Sequence, residues 1–367
     1  MRILIGAGGT GGHVYPALAT AQALLQAEDE AHQLYFVGAV GGMEHSLVAK
    51  SGIAFAGREQ VFAGPLHGVN PIRIAISLLK LAAGCLQSLG ILARLRPQVI
   101  LLTGGWANLP VALGARLFRI PIVIYLPDIE PGLTIKALKP LADRIAITIE
   151  QSVRFFDAGK TVLTGYPLQQ NRLNTDRKAA QERFRLEADR RTLLVFGGSR
   201  GARNINMALA DNLPGLLEMG LQIIHITGEF DWEANLKRVD QLREHPDYHA
   251  FAYLHDEMGL AFAAADLALC RAGASTLAEL PIFGLPAILV PYPYAWRYQK
   301  VNADYLAEHG AAIRLNDEDM GEQLYATIRG LLTHETRLSS MRAKAKSLAN
   351  PDGAGRLARL LLEIGGS

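Results

Sequence analysis

The hydrophobic positions of this chain fall into short continuous runs, separated by longer segments with helical periodicity. A continuous apolar run indicates a strand buried on both faces, which is typical of a parallel sheet covered by helices. In the first half, such runs predict strands at residues 2–5, 33–38, 97–103, 121–125, 144–148 and 161–167. In the second half, they predict strands at residues 191–196, 222–227, 250–253, 267–270 and 287–290.

Two halves with the same pattern predict an α/β protein built from two Rossmann-like, doubly wound domains. A polar stretch at 169–191 predicts a linker with an exposed helix, and we place the first domain at 1–165 and the second at 166–341. The 367 residues are enough for two such domains. Because ligands of doubly wound sheets bind beyond the carboxyl ends of the strands, we expect the domains to face each other across a cleft.

A glycine-rich turn follows the first strand. Residues 6–13 read Gly-Ala-Gly-Gly-Thr-Gly-Gly-His, and they precede a predicted helix with Pro16 in its first turn. Missing β-carbons let a ligand approach the backbone, and amide groups at a helix N-terminus favour anions or polar oxygens. His13 adds a titratable imidazole beside this turn. The turn therefore predicts a ligand site.

The same turn satisfies G-x-G-x-x-G, the pattern of dinucleotide sites. That site also needs a carboxylate at the end of the second strand, where residues 39–42 are Ala-Val-Gly-Gly. His13 also stands where cofactor folds prefer a small residue that packs the helix on the sheet. An NAD-dependent enzyme is therefore the weaker alternative, and we expect no cofactor.

One further glycine-rich turn and one turn of small residues lie in the second half. Residues 197–203 read Gly-Gly-Ser-Arg-Gly-Ala-Arg, and residues 271–276 read Arg-Ala-Gly-Ala-Ser-Thr. Ser275 and Thr276 can cap the next helix and bond phosphate oxygens. Glu279 follows one helical turn after Ser275, where a carboxylate can accept two hydrogen bonds from a ribose diol. Its alternative role is charge compensation at the helix N-terminus.

Composition excludes several classes of protein. Half of the residues are apolar and a fifth are charged, which is typical of a globular protein. A net charge of +2 is too small to indicate a nucleic-acid partner. Cys85 and Cys270 lie far apart in apolar contexts, which predicts buried thiols in a reducing compartment. The chain begins with a core strand, so we expect no signal peptide.

One apolar segment, residues 72–95, is a candidate for spanning or contacting a membrane. Its polar residues recur at seven-residue spacing, which puts them on one helical face, and they are Arg73, Lys80, Gln87 and Arg94. A spanning helix has about twenty residues with few charges, so we expect no transmembrane segment. Two interpretations stay open. The segment is a core helix with a basic face in solvent, or its start and the loop at 62–71 enter an anionic membrane surface.

The three motifs together resemble one family. The motifs are Gly8-Gly9-Thr10-Gly11-Gly12-His13, Gly197-Gly198-Ser199-Arg200-Gly201-Ala202-Arg203, and Arg271-Ala272-Gly273-Ala274-Ser275-Thr276 with Glu279. In order and spacing over nearly the whole chain, they resemble the MurG family of two-domain GT-B glycosyltransferases. The resemblance implies a GT-B fold, no catalytic metal, and a terminal helix at about 342–364, broken near Pro351-Asp352-Gly353, that packs back on the first domain.

The resemblance also implies an activity. The family transfers N-acetylglucosamine from UDP-N-acetylglucosamine to the muramyl sugar of an undecaprenyl-diphosphate lipid, lipid I. The product, lipid II, serves peptidoglycan synthesis and thereby cell shape and division. Transfer takes place at the cytoplasmic face of the bacterial membrane, where the enzyme is a peripheral protein. Such an acceptor accounts for the apolar segment at 72–95.

The resemblance implies roles for the single residues that stand at matching positions of the family's motifs. His13 corresponds to the glycine-loop histidine near the acceptor hydroxyl. The residues that correspond to donor contacts are Thr10, Gly11, Gly12, Ser199, Leu254, His255, Ser275, Thr276, Glu279 and Gln299. Among these, Ser199 matches a diphosphate contact, Leu254 and His255 lie where the family holds uracil on backbone groups, and Gln299 matches one of two sugar-reading glutamines.

Three positions depart from the family pattern. The family has His-Glu-Gln-Asn where residues 125–128 are Tyr-Leu-Pro-Asp, and Gln169 and Tyr298 replace an arginine and the first of the paired glutamines. These positions contact acceptor and sugar in the family. Two alternatives therefore stay open: a GT-B UDP-sugar transferase with another lipid or a soluble acceptor, and a UDP-sugar binder with impaired chemistry.

Direct, inverting transfer needs a base for the incoming hydroxyl and charge stabilisation for departing UDP. We expect His13 and Asp128 to share the activation of the acceptor, with helix capping and turn formation as their alternative roles. Asp317-Glu318-Asp319 spells the D-x-D metal signature of another glycosyltransferase class. Its polar context instead predicts a solvated helix start.

Overall fold

The computed structural model describes residues 1–27, 32–65, 70–173, 175–198, 201–255, 257–293 and 298–366. The chain divides into two compact units. The first unit comprises residues 1–169 and 351–367, and the second comprises residues 170–350.

A parallel sheet of seven strands forms the centre of the first unit. Its strands are β1 (Arg2–Gly6), β2 (Gln33–Ala39), β3 (Gly57–Val61), β4 (Val99–Leu102), β5 (Ile122–Leu126), β6 (Arg144–Ile147) and β7 (Thr161–Leu163). The order across the sheet is β3-β2-β1-β4-β5-β6-β7. The helices of this unit are α1 (Gly11–Gln26), α2 (Glu44–Lys50), α3 (Pro71–Leu95), α4 (Asn108–Leu117), α5 (Leu133–Leu138) and, from the end of the chain, α15 (Gly353–Gly365).

The second unit repeats this architecture with six parallel strands. Its strands are β8 (Thr192–Phe196), β9 (Gln222–Ile226), β10 (Tyr248–Phe251), β11 (Leu267–Cys270), β12 (Ala287–Leu289) and β13 (Ala312–Arg314), in the order β10-β9-β8-β11-β12-β13. Its helices are α6 (Gln170–Leu173), α7 (Arg177–Phe184), α8 (Arg203–Glu218), α9 (Trp232–Arg238), α10 (Met258–Ala264), α11 (Thr276–Phe283), α12 (Tyr298–Glu308), α13 (Met320–Leu332) and α14 (Glu335–Ser347).

Both sheets are covered by helices on their two faces, so the central strands are buried and mostly apolar. Strands β4, β5, β8, β9 and β11 are buried along their whole length. This confirms the predicted pair of doubly wound α/β domains. In both sheets the polar turns follow the carboxyl ends of the strands, which is the edge where such folds bind ligands.

Two strands escaped the sequence prediction, and both lie at sheet edges. Strand β3 alternates partly buried and exposed residues, and its sequence Gly-Arg-Glu-Gln-Val contains one aliphatic residue. Strand β13 has only three residues. An edge strand is covered on fewer sides than a central one, so its sequence is not a continuous apolar run.

Helix α1 begins five residues earlier than the sequence predicts, at Gly11 instead of Pro16. The backbone amide of Val14 already donates to the carbonyl oxygen of Thr10, at 3.3 Å. Pro16 therefore lies inside the helix and removes only one backbone donor. The glycine turn consequently leads directly into the helix, and His13 belongs to its first turn.

The predicted terminal helix at 342–364 is two helices that belong to different units. Helix α14 extends to Ser347 in the second unit, whereas α15 begins at Gly353 in the first. Pro351 lies between them and lacks the amide donor that a continuous helix requires. Only α15 packs in the first unit, where it contacts α1 and β4.

The two cysteines differ in burial. Cys270 is fully buried at the end of β11, but Cys85 on α3 is only half-buried, which corrects the prediction of two buried thiols. Burial raises the pKa of both thiols, and the neighbouring Glu279 carboxylate adds to the rise at Cys270.

Candidate functional site

His13 has a defined ring orientation at the start of α1. Its Nδ1 lies 3.0 Å from the carbonyl oxygen of Gly8, which can only accept a hydrogen bond. The proton is therefore on Nδ1 in the neutral ring, and the lone pair is on Nε2. Gly104 lies against the ring, since an added β-carbon there would be 2.9 Å from Nε2. The geometry gives His13 the tautomer that a general base needs at Nε2.

Glycines let two turns of the first unit lie against each other. The first comprises residues 6–13, and the second, Gly104–Gly105, follows the neighbouring strand β4. A β-carbon on Gly105 would lie 2.8 Å from the carbonyl carbon of Gly8. The buried Asn108 side chain joins both turns, because its Nδ2 donates to one carbonyl oxygen of each, at 3.2 and 2.7 Å. Sequence reasoning missed Asn108, because a single amide three residues after the Gly-Gly turn becomes informative only when its partners are known.

Thr10, Gly11 and Gly12 form the entry to α1. Thr10 has extended backbone, and its hydroxyl makes no capping hydrogen bond with the helix. Thr10 and Gly12 are exposed, whereas Gly11 is buried. The exposed backbone at this helix N-terminus suits a polar or anionic ligand.

The segment at 125–128 contributes differently from the sequence expectation. Tyr125 is fully buried, and its hydroxyl pairs with Thr148 Oγ1 at 2.7 Å, so it is a core residue and not an acceptor contact. Burial raises the pKa of Tyr125 well above its usual range, and Asp128 contributes to that rise. Asp128 itself is half-buried just beyond β5. Its partnership with His13 stays a prediction.

The turn at 271–276 is held together by Thr276. Its hydroxyl donates to the carbonyl oxygen of Gly273 at 2.5 Å, and its amide donates to the same oxygen at 3.1 Å. Ser275 precedes α11 but its side chain makes no capping bond, which corrects the expected cap. The reason is that the Ser275 backbone is already helical, whereas a capping residue is typically extended.

Glu279 lies in the first turn of α11 and is 6% exposed. Its carboxylate is close enough to the Cys270 thiol to raise the pKa of that thiol. The carboxylate thus lies at the carboxyl end of β11, close to the turn at 271–276. This is the region in which a doubly wound sheet binds a nucleotide.

Asp317 is not part of a solvated helix start, as the sequence predicted, but of a buried ion pair with Arg271. The two side chains are 8% and 9% exposed. Arg271 Nη1 also approaches the carbonyl oxygens of Val290 and Pro291, and Asn204 at the start of α8 donates to the Asp317 carboxylate. This pairing explains the burial, since a charge is removed from water only when it is paired. Glu318 is exposed as expected.

The remaining predicted contacts lie in the second unit or at its border. Leu254 is buried, and His255 is exposed with its ring against Tyr253. Gln299 lies in the first turn of α12, where its Oε1 accepts from the Tyr292 amide at 2.9 Å. Tyr298 begins the same helix, and Gln169 is the half-buried last residue before the second unit. Ser199 lies outside the described residues.

Among the described residues, no group of three or more His, Cys, Asp or Glu side chains is arranged to hold a metal ion. Helix α3 is long and apolar enough to cross a membrane by length and composition, and 28% of its most apolar window is buried.

Residues 3–147 match the glycosyltransferase family 28 N-terminal domain, and residues 192–357 match the C-terminal domain of that family. UDP-N-acetylglucosamine--N-acetylmuramyl-(pentapeptide) pyrophosphoryl-undecaprenol N-acetylglucosamine transferases are similar over almost the full length. The one from Roseiflexus sp. is 38% identical, with 98% of this chain and 94% of the relative covered. The one from Desulforamulus reducens is 35% identical, with 99% of each covered.

The crystal structure of Acinetobacter baumannii MurG superposes with a TM-score of 0.76 at 26% identity, covering 99% of both chains. The fold is therefore the GT-B fold that the sequence motifs implied. With two relatives above 30% identity at almost complete coverage, the chain belongs to the MurG family of glycosyltransferases.

Proposed function

We propose that this protein transfers N-acetylglucosamine from UDP-N-acetylglucosamine to the muramyl sugar of undecaprenyl-diphosphate lipid I. The product is lipid II, the precursor for peptidoglycan growth, cell shape and division. The observation that favours transfer over binding alone is the ring orientation of His13. Its Nδ1–H bond to Gly8 leaves the Nε2 lone pair for a proton, which a protein that only binds UDP-sugars does not need.

The residues suggest a direct displacement. His13 Nε2 takes the proton of the acceptor hydroxyl while the hydroxyl oxygen bonds to C1 of N-acetylglucosamine. The bond between C1 and the diphosphate oxygen breaks, and UDP departs with inversion at C1. Amide groups at the starts of α8 and α11 stabilise the charge on departing UDP. Asp128 shares the activation of the acceptor with His13, as the negative partner of the imidazolium that forms.

Purified protein with UDP-N-acetylglucosamine and a lipid I analogue tests this proposal by release of UDP and formation of the disaccharide lipid. Transfer to a different sugar acceptor, with none to lipid I, would favour the related GT-B transferase. UDP binding without transfer to any acceptor would favour an impaired binder. A rise in melting temperature with NAD but not with UDP would favour the dehydrogenase alternative.

Glu279 gives a prediction for donor recognition. We expect Glu279→Gln to weaken UDP binding by about tenfold, because a hydrogen bond to a charged acceptor contributes about 1.5–3 kcal/mol. Isothermal titration with UDP and with 2′-deoxyuridine diphosphate measures the effect. The loss should be smaller for the deoxy ligand, which keeps only one of the two hydroxyls that Glu279 would accept from. Glu318→Gln, an exposed carboxylate in the same unit, is the control. An equal loss for both ligands would indicate charge compensation at the helix instead.

The location at the cytoplasmic face of the membrane is part of the proposal. Helix α3 buries one face, at Leu81, Ile91 and Leu92, while Ile72 and Leu79 are each 73% exposed. Its first turns therefore offer apolar side chains, and further exposed apolar residues follow on α4 at Leu113, Leu117 and Phe118. Arg73 and Lys80 lie among the exposed positions of α3. Apolar and basic residues in one surface suit an anionic lipid surface.

The proposed membrane contact of α3 predicts that the protein binds anionic lipid vesicles through this helix. We expect Ile72→Glu and Leu79→Glu each to lower partitioning onto phosphatidylglycerol-containing vesicles by at least about tenfold, because each removes about 1.5–3 kcal/mol of apolar burial. Co-sedimentation measures the partitioning. Phe230→Glu, which replaces an apolar side chain of the second unit that is 80% exposed, is the matched control. Unchanged partitioning in both α3 variants would contradict a membrane role for this helix.

A further inference from the structure

A network of buried hydrogen bonds lies in the second unit and reaches the first turn of α8. Tyr248 on β10 contacts His225 on β9, with 2.8 Å between its hydroxyl and Nδ1. On the other side of the ring, Nε2 lies 3.0 Å from Oδ1 of Asn206 in the first turn of α8. Asn235 completes the network by donating to the Tyr248 hydroxyl oxygen at 3.1 Å. All four residues are buried.

The donor and the acceptor of every hydrogen bond in this network are determined. Asn206 Nδ2 donates to the Thr227 carbonyl oxygen at 2.9 Å and to Asp231 Oδ2 at 3.2 Å, so its Oδ1 is the acceptor that faces His225. His225 must then carry its proton on Nε2 and accept from the Tyr248 hydroxyl at Nδ1. Burial lowers the pKa of His225 to about 3, which keeps the ring in this neutral form near neutral pH.

These hydrogen bonds end in the first turn of α8, next to the turn that precedes the helix. Gly201 lies against the same Thr227 carbonyl, since an added β-carbon there would be 2.4 Å from its oxygen. Asn206 and Gly201 thus hold the turn and the first turn of the helix onto the end of β9. These two contacts therefore position the backbone at the start of α8, beyond the carboxyl end of β9.

We propose that His225 is a positioning residue for the donor, holding the start of α8 through Asn206 where the UDP diphosphate binds. This inference rests on the proposed function, because the diphosphate is the ligand that the turn would hold. His225 itself is fully buried, so it would act on a ligand only through Asn206. An apolar side chain would fill the same space, but it would leave Asn206 Oδ1 without its donor and the Tyr248 hydroxyl without its acceptor.

Three variants separate positioning from packing. Tyr248→Phe removes the donor to His225 Nδ1, and His225→Leu removes both hydrogen bonds of the ring. His225→Gln keeps one donor and one acceptor and serves as the conservative rescue. Ile328→Ala, which truncates a buried side chain on α13 of the same unit, is the control for a general loss of stability.

The readouts are the UDP dissociation constant, the KM for UDP-N-acetylglucosamine, kcat, and amide exchange of residues 201–206 without ligand. We expect about tenfold or weaker UDP binding and a matching rise in donor KM in Tyr248→Phe and His225→Leu, since small displacements of binding groups are costly. His225→Gln should lose less UDP affinity, and the KM for the acceptor should stay unchanged in all of these variants. Exchange at 201–206 should accelerate in the two affected variants and not in Ile328→Ala.

Wild-type UDP affinity in Tyr248→Phe and His225→Leu, or a loss no greater than that in Ile328→Ala, would overturn the positioning role and leave the proposed function intact. A wild-type protein that binds neither UDP nor UDP-N-acetylglucosamine would overturn the proposed function, and the positioning role with it. Faster exchange at 201–206 alone would then reflect only local stability.

Discussion

We expect His13→Ala to lower kcat by about 10²–10⁴-fold, the usual contribution of a positioned general base. The dissociation constant for UDP should change little, because His13 lies in the first unit and Glu279 and the turn at 271–276 lie in the second. Turnover with a lipid I analogue and titration with UDP measure the two quantities.

His13→Asn separates proton transfer from shaping of the turn. The asparagine amide can still donate to the Gly8 carbonyl, as His13 Nδ1 does, but it offers no basic nitrogen. We therefore expect His13→Asn to be as slow as His13→Ala. Activity close to wild type in His13→Asn would assign His13 a structural role in the turn. Near-normal turnover in both His13→Ala and Asp128→Ala would rule out shared activation of the acceptor.

The second large effect concerns the buried pair of Arg271 and Asp317. We expect Asp317→Ala to lower the free energy of unfolding by about 3–5 kcal/mol, because it leaves the Arg271 guanidinium buried without its counter-charge. Urea unfolding of the second unit, followed by the fluorescence of its tryptophans, measures the loss. Asn204 loses a hydrogen-bond partner in the same variant, so UDP binding should weaken as well.

A double variant distinguishes the cost of an unpaired charge from the contribution of the pair. Replacing both Arg271 and Asp317 with leucine removes the two charges together, so most of the stability should return. If the double variant were as unstable as Asp317→Ala, the pair itself would be the source of the stability. Glu318→Ala, next to Asp317 but exposed, should unfold like the wild type.

The central strands were predictable from the sequence because they are buried on both faces, so burial alone determines their composition. The edge strands β3 and β13 were not, since partial exposure admits polar residues and short length hides any pattern. The sequence places the start of α1 too late, because proline is typical of a first helical turn and nothing local indicates that the preceding glycines are helical.

Within the site, residues whose chemistry is unusual for their position could be found from the sequence. His13 after a glycine run and Glu279 after a small-residue turn are examples. Asn108 and His225 could not, because a single polar residue in an apolar segment becomes informative only when its partners are known from the fold. The predictions for Tyr125 and Asp317 were wrong for the same reason. The sequence does not show that Tyr125 lies in the core or that Asp317 pairs with Arg271.

The position of α15 determines when the first unit can be completed. Its first residue, Gly353, lies against the carbonyl of Tyr166, and its last, Gly365, against Val99 of β4. During synthesis on a ribosome, all of the second unit emerges before these contacts can form. Domains usually fold in the order in which they are made. Here the lobe that is made first reaches its final packing last, and the surface of α1 that α15 covers stays open until then.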